Sequence, residues 1–142
     1  MTYAVRYYSK SGNTRKVAEA IAEELGVKAI SIENRDAPVT EETDVLFIGG
    51  AVYAYGIDKS LSNYINSLDN KLVKKIAAFS TAMISRHALT LIKRGAQARD
   101  IKTVSETLFV SSKDVDESGE VVREFVRSVT GSAPELLMQC QC

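Results

Sequence analysis

Residues 3–26 read YAVRYYSKSGNTRKVAEAIAEELG, and the fold turns on this stretch. Residues 3–8 are rich in Tyr and Val and predict a β-strand. Residues 9–13 are small and polar. From Thr14 onward Val17, Ala18, Ile21, Ala22 and Leu25 recur at helical spacing, so residues 14–25 predict an amphipathic helix that ends at Gly26. A strand that feeds a helix through a short polar loop is the opening half of a βαβ unit.

The alternation continues outward from there. Residues 27–32 predict a second short strand. Residues 33–43 form a polar link with Asp36, Pro38 and Thr40, long enough for one helical turn at most. Residues 44–50 are an almost continuous apolar run ending in Gly49 and Gly50, the pattern of a strand buried on both faces. A loop follows over residues 51–57. Asp58 is placed to cap a helix whose apolar side is Leu61, Tyr64, Ile65 and Leu68. Residues 75–81 predict a fourth strand and residues 85–99 a helix with Ala88, Leu91, Ile92 and Gly95 on one side. Residues 103–110 predict a fifth strand, whose polar middle Ser105-Glu106-Thr107 suits a sheet edge. Residues 118–129 close with Val121, Val122, Phe125, Val126 and Val129 on one helical face.

Strands alternating with helices imply an α/β fold, a doubly wound five-stranded parallel sheet in the order 2-1-3-4-5 with helices on both faces. The 142 residues suit one domain, here residues 1–132, with residues 133–142 as a tail expected to be disordered. Ligands of such sheets bind beyond the carboxyl ends of the strands, where strand order reverses.

Composition narrows the function. Lys plus Arg and Asp plus Glu number 18 each, which gives no net charge to hold nucleic acid and no basic stripe. The apolar runs are far shorter than a membrane span, and residues 1–6 do not resemble a signal peptide. The only cysteines are Cys140 and Cys142, at the C-terminus, so no disulfide framework is expected and a reducing, cytoplasmic location is. Two ligands at a frayed end make a weak metal site, and none is assigned. Arg6, mid-strand in the central strand, needs partners if buried, and Asp44 and Glu106 are the candidates.

The loop Ser9, Lys10, Ser11, Gly12, Asn13, Thr14 carries the most specific chemistry. A helix N-terminus presents unpaired N–H groups and the positive end of the dipole, and anions bind there. Gly12 permits close approach, and the hydroxyls and amide add donors. Neither G-x-x-x-x-G-K-[ST] nor G-x-G-x-x-G is present, so the loop suits one terminal phosphate rather than a di- or triphosphate. The competing reading is a plain polar turn with Thr14 as cap.

S-K-S-G-N-T after a first strand resembles the [ST]-x-[ST]-G-x-T phosphate loop of flavodoxins, and the resemblance runs over nearly the whole chain. The insertion that interrupts the last strand of long-chain members is missing, so the chain looks like a short-chain flavodoxin. Residues 51–65 are also similar to the flavodoxin-like protoporphyrinogen oxidases. The resemblance implies FMN as cofactor. It places Ala51, Val52, Tyr53, Ala54, Tyr55 and Gly56 in the first loop around the flavin ring, with Tyr55 as first and Tyr53 as second candidate for stacking. Thr81, Ala82 and Met83 fall in the second ring loop. That loop departs from the family: residues 81–87 hold no aromatic apart from His87, which leaves the outer flavin face bare or covered by Met83, Ile84 or a second subunit. The zero net charge departs as well from the acidic character of electron-shuttle flavodoxins.

The resulting expectation is an FMN-binding electron-transfer flavoprotein serving a redox partner protein or a small aromatic acceptor, with a homodimer left open. The alternatives are an FMN-dependent oxidoreductase acting on a quinone or porphyrinogen, and a cofactor-free binding or signalling module. Response-regulator receivers share the topology, but they need acidic residues after the first strand and an Asp after the third; this chain has Ser9-Lys10-Ser11 and Gly50-Ala51 there.

Overall fold

The computed structural model describes residues 2–10, 12–53, 56–57, 59–82 and 87–131. The elements are β1 (Tyr3–Tyr7), α1 (Asn13–Leu25), β2 (Ala29–Ser31), β3 (Thr43–Tyr53), β4 (Gly56–Ile57), α2 (Lys59–Asn66), β5 (Val73–Ala82), α3 (His87–Ala98), β6 (Lys102–Ser111), a 3-10 turn (Ser112–Glu117) and α4 (Gly119–Thr130). The main sheet runs β2-β1-β3-β5-β6, with every neighbouring pair parallel. This is the expected 2-1-3-4-5 order once the two-residue strand β4, which pairs antiparallel with β3, is set aside.

The alternating side chains of β3 explain the layers. Val45 and Phe47 point to one face and join Val17, Ala18, Ile21 and Ala22 of α1 and Val122, Phe125 and Val126 of α4 in one buried cluster. Leu46 and Ile48 point to the other face and join Leu61 and Ile65 of α2 and Leu89, Ile92 and Ala96 of α3. Phe47 meets Phe125 edge-on, with ring centroids 5.8 Å apart.

Several boundaries differ from the sequence reading for identifiable reasons. The second strand begins at Ala29 rather than Val27, because the Val27 N–H closes the end of α1 on the Ala22 carbonyl at 3.0 Å. Ala51, Val52 and Tyr53, expected in a loop, extend β3: Ala51 pairs with Thr81, while Val52 and Tyr53 pair with Ile57 and Gly56. The edge strand β6 is irregular in its polar middle. Ile76 pairs with Thr103 and Ala78 with Thr107, so β6 advances further than its partner, and Ser105 and Glu106 stay exposed. Such bulges keep an edge from templating further strands. The 3-10 turn was not anticipated. Ser118 stands at the cap position of α4, as the sequence predicts, and its hydroxyl donates to the Val115 carbonyl at 2.7 Å. Asp58 and the tail lie outside the described residues.

The link between β2 and β3 forms turns and no helix. It therefore covers β1 and β2 thinly, and a cavity of about 270 Å³ remains at the amino end of the sheet, lined in part by Thr2, Arg6, Lys28 and Thr43. Arg6 holds the link down. It is buried, and its Nε donates to the Ala37 carbonyl at 2.7 Å and its Nη1 to the Val5 carbonyl at 3.1 Å. The expected partners do not serve. Asp44 accepts from the Thr2 N–H at 2.8 Å, and Glu106 is exposed on β6, with β3 and β5 lying between it and β1. The Tyr64 hydroxyl of α2 donates to the same Ala37 carbonyl at 2.5 Å.

Two predictions follow from this packing. Phe79 lies opposite Gly49 in register and its ring covers the glycine, so a Cβ at Gly49 would meet both that ring and the Phe79 carbonyl. At Gly50 a Cβ would meet only the end of the Leu61 side chain and, at 3.7 Å, the Tyr8 carbonyl. Gly49→Ala is predicted to cost about 1–3 kcal/mol and more than Gly50→Ala, because a backbone carbonyl cannot swing aside as a methyl can. Urea midpoints check the order, and equal midpoints would contradict it. Separately, burial raises the Tyr64 phenol above its ordinary value, with the Arg6 charge acting in opposition. A raised phenol gives stability that is complete below about pH 10 and is lost as pH rises through the folded-state value. Tyr64→Phe is predicted to cost about 0.5–1.5 kcal/mol at neutral pH and to flatten the alkaline fall in stability. An unchanged alkaline slope in denaturation series would refute it.

Candidate functional site

The carboxyl ends of β1, β3 and β5 meet at one edge, where β1 turns into α1. The Tyr8 N–H donates to the Gly49 carbonyl at 3.1 Å, so the chain leaves the sheet just beyond β1. The Ser9 hydroxyl then accepts from the Gly12 N–H at 2.9 Å, bracing the loop from within and leaving its own hydrogen to donate elsewhere. Gly12 has φ +95°, a left-handed conformation that a side chain rarely adopts. It stands at the cap position of α1 and supplies no side-chain cap. The first turn bond runs from the Lys16 N–H to the Gly12 carbonyl at 3.1 Å. The N–H groups ahead of it are those a helix leaves to a cap or an anion.

Thr14 begins the buried side of α1 and is 1% exposed. It is no plain cap: its Oγ1 lies 2.6 Å from Oγ1 of Thr81, near the end of β5 and also 1% exposed. The sequence reading gave these two threonines to separate parts of a ligand; the fold brings their hydroxyls together. Lys10 is exposed. Asn13 starts α1, and Ala82 ends β5 opposite Ser111. Ser11, Ala54, Tyr55 and Met83 lie outside the described residues. Val52, Tyr53 and Gly56 are placed by the β3–β4 pairing.

Two further hydroxyls at this edge escaped sequence reading. Ser80 and Ser111 have buried Oγ atoms without a hydrogen-bond partner, at the carboxyl ends of β5 and β6. The signal was available in Ser80-Thr81, two hydroxyl residues directly after the apolar run of residues 76–79. Among the described residues no His, Cys, Asp or Glu cluster can hold a metal, and no helix is long and apolar enough to cross a membrane.

A braced loop and an uncapped helix start stand at the switch point of a doubly wound sheet, where a helix N-terminus favours an anion. The comparisons agree. A family model described as "Flavodoxin domain" matches residues 4–108, and the chain belongs to that family. Among solved structures, a flavodoxin from the domain Archaea is 23% identical with a TM-score of 0.65, over 92% of this chain and 99% of that one. Flavodoxin 2 from Bacillus cereus is 20% identical with a TM-score of 0.68, over 90% and 99%. A short-chain flavodoxin associated with a non-canonical PDU bacterial microcompartment is 15% identical with a TM-score of 0.73, over 94% and 99%. At these identities the structures speak for the fold. No match was found among curated protein sequences. As a member of the flavodoxin family the protein is an FMN-binding electron-transfer flavoprotein, which works with a redox partner.

Proposed function

We propose that one FMN binds at the carboxyl edge of the sheet, its phosphate held by Ser9, Lys10, Ser11, Gly12, Asn13 and Thr14. Its ring is taken by Ala51, Val52, Tyr53, Ala54, Tyr55 and Gly56 on one side and by Thr81, Ala82 and Met83 on the other. The observation that carries this reading is the start of α1, where Gly12 at φ +95° leaves the helix N-terminus without a side-chain cap. The donor set fits one phosphate. The helix N–H groups and the Ser9 hydroxyl donate, and the field of α1 favours the dianion. Bound there, FMN supplies one- and two-electron transfer. The protein's part is to bind and orient it and to shape access to its edge.

Zero net charge gives the molecule no strong long-range pull on a charged partner. A redox partner is then met through local contacts rather than drawn in by long-range charge. A second reading rests on residues 81–87, which offer no aromatic besides His87 to cover the outer flavin face. An uncovered face admits a quinone or porphyrinogen, or is closed by a second copy of the chain in a homodimer. Rapid mixing of the reduced protein with quinone and cytochrome acceptors separates the readings, since a shuttle favours the cytochrome and an enzyme the flat substrate.

The cofactor released from the purified protein is predicted to be FMN, and riboflavin is predicted to bind more weakly. Recovery of FAD, or equal affinity for riboflavin, would refute the phosphate site. Ser9→Ala and Thr14→Ala each remove a hydrogen bond to a charged acceptor, worth about 1.5–3 kcal/mol, and are predicted to lower FMN affinity about ten- to a hundredfold. Unchanged titrations in both would place the phosphate elsewhere.

The stacking residue is open to a separate test. If Tyr55 lies on the ring, Tyr55→Ala brightens flavin fluorescence and weakens ring binding by about 0.5–1.5 kcal/mol beyond the lost area, and Tyr53→Ala does less. The reverse order of effects would shift the contact to Tyr53.

A further inference from the structure

The Thr14–Thr81 pair contains more information than a contact. Two hydroxyls carry two hydrogens, and the 2.6 Å bond between them uses one. Neither hydroxyl makes another hydrogen bond among the described residues, and both residues are 1% exposed. Among the described residues one buried hydrogen is therefore left without an acceptor, and leaving a buried donor unpaired is costly.

The direction of the bond decides which hydrogen is spare. If Thr14 donates to Thr81, the Thr14 hydrogen is spent and the spare one belongs to Thr81, on the strand. If Thr81 donates to Thr14, the Thr14 hydrogen is free to turn toward the start of α1, where an anion would sit. An anion at the cradle selects the second arrangement, because it accepts the spare hydrogen and polarises the bond behind it.

We propose that Thr81 is a positioning residue for the phosphate: it donates to Thr14 Oγ1, and Thr14 in turn donates to the ligand. The inference rests on the proposed phosphate site and deepens it. Thr81 belongs to the strand that leads toward the second ring loop, but its hydroxyl acts on the opposite end of the flavin, through Thr14. The grip of the phosphate loop on its anion thus depends on the position of β5, although β5 itself does not reach the phosphate.

The test compares FMN with riboflavin, which lacks the phosphate, in equilibrium titrations of the apoprotein. Thr81→Val keeps the branched shape and removes the donor. It is expected to lower FMN affinity about two- to tenfold more than riboflavin affinity, whereas loss of a ring contact or a structural defect would weaken both equally. Thr81→Ser restores the hydroxyl and is expected to restore the preference for FMN. In a Thr14→Val background, Thr81→Val is expected to add no further loss of the preference for FMN. If Thr81→Val fails to fold, Thr81→Ala is read in the same assay with circular dichroism as control. An FMN preference unchanged by loss of the Thr81 hydroxyl, or equal losses for both ligands, would overturn the proposal while the phosphate site stands. A wild-type protein with no preference for FMN over riboflavin would overturn the phosphate site itself and this inference with it.

Discussion

Burying β3 on both faces requires apolar cover above and below it, and this chain provides it by placing α1 and α4 on one side of the sheet and α2 and α3 on the other. Val45 and Phe47 demand α1 and α4; Leu46 and Ile48 demand α2 and α3. The strand order then follows from parallel crossovers of one hand. β1 and β2 lie on one flank of β3, and β5 and β6 lie on the other. The reversal of direction between β1 and β3 opens the crevice at their carboxyl ends. The candidate site is thus a by-product of how the core is closed, and the loop chemistry of residues 9–14 occupies a place the topology had already made.

The elements that could be read directly were those with strong periodicity or long apolar runs. The α1 spacing and the apolar run of β3 predicted their segments to within a few residues, and those two elements imply most of the rest. The phosphate loop was legible for a different reason: strand, small polar residues and helix occur in immediate succession, so local sequence alone states the chemistry. The failures lie where tertiary pairing overrides local pattern. Ala51, Val52 and Tyr53 look like loop residues because glycines precede them, but Thr81 and the returning β4 hold them in extended form. Arg6 was matched to carboxylates on general grounds, but the side chain found carbonyls, because the link that crosses above it offers Ala37 at closer range.

The site was legible as a set of residues and not as a set of relations. Thr14 and Thr81 are 67 positions apart, and no periodicity in the sequence connects them. Their meeting depends on how α1 settles across β1 and β3 onto the end of β5. The orphaned hydroxyls of Ser80 and Ser111 are hidden in the same way: each reads as an ordinary strand residue until the sheet places both at one edge. Pairwise geometry at the carboxyl edge is therefore the information the fold adds to the composition of the loops.

The Ala37 carbonyl accepts from both Arg6 and Tyr64, and in doing so it ties together three pieces of chain that are far apart in sequence. Both of its lone pairs are in use. Peeling Ala37 away from the sheet therefore breaks a bond to β1 and a bond to α2 together. A helix-free connection would ordinarily be the first part of such a domain to exchange its amide hydrogens. Here Ala37 is buried and tied to β1 and α2, so its amide is expected to exchange more slowly than those of the exposed residues around it.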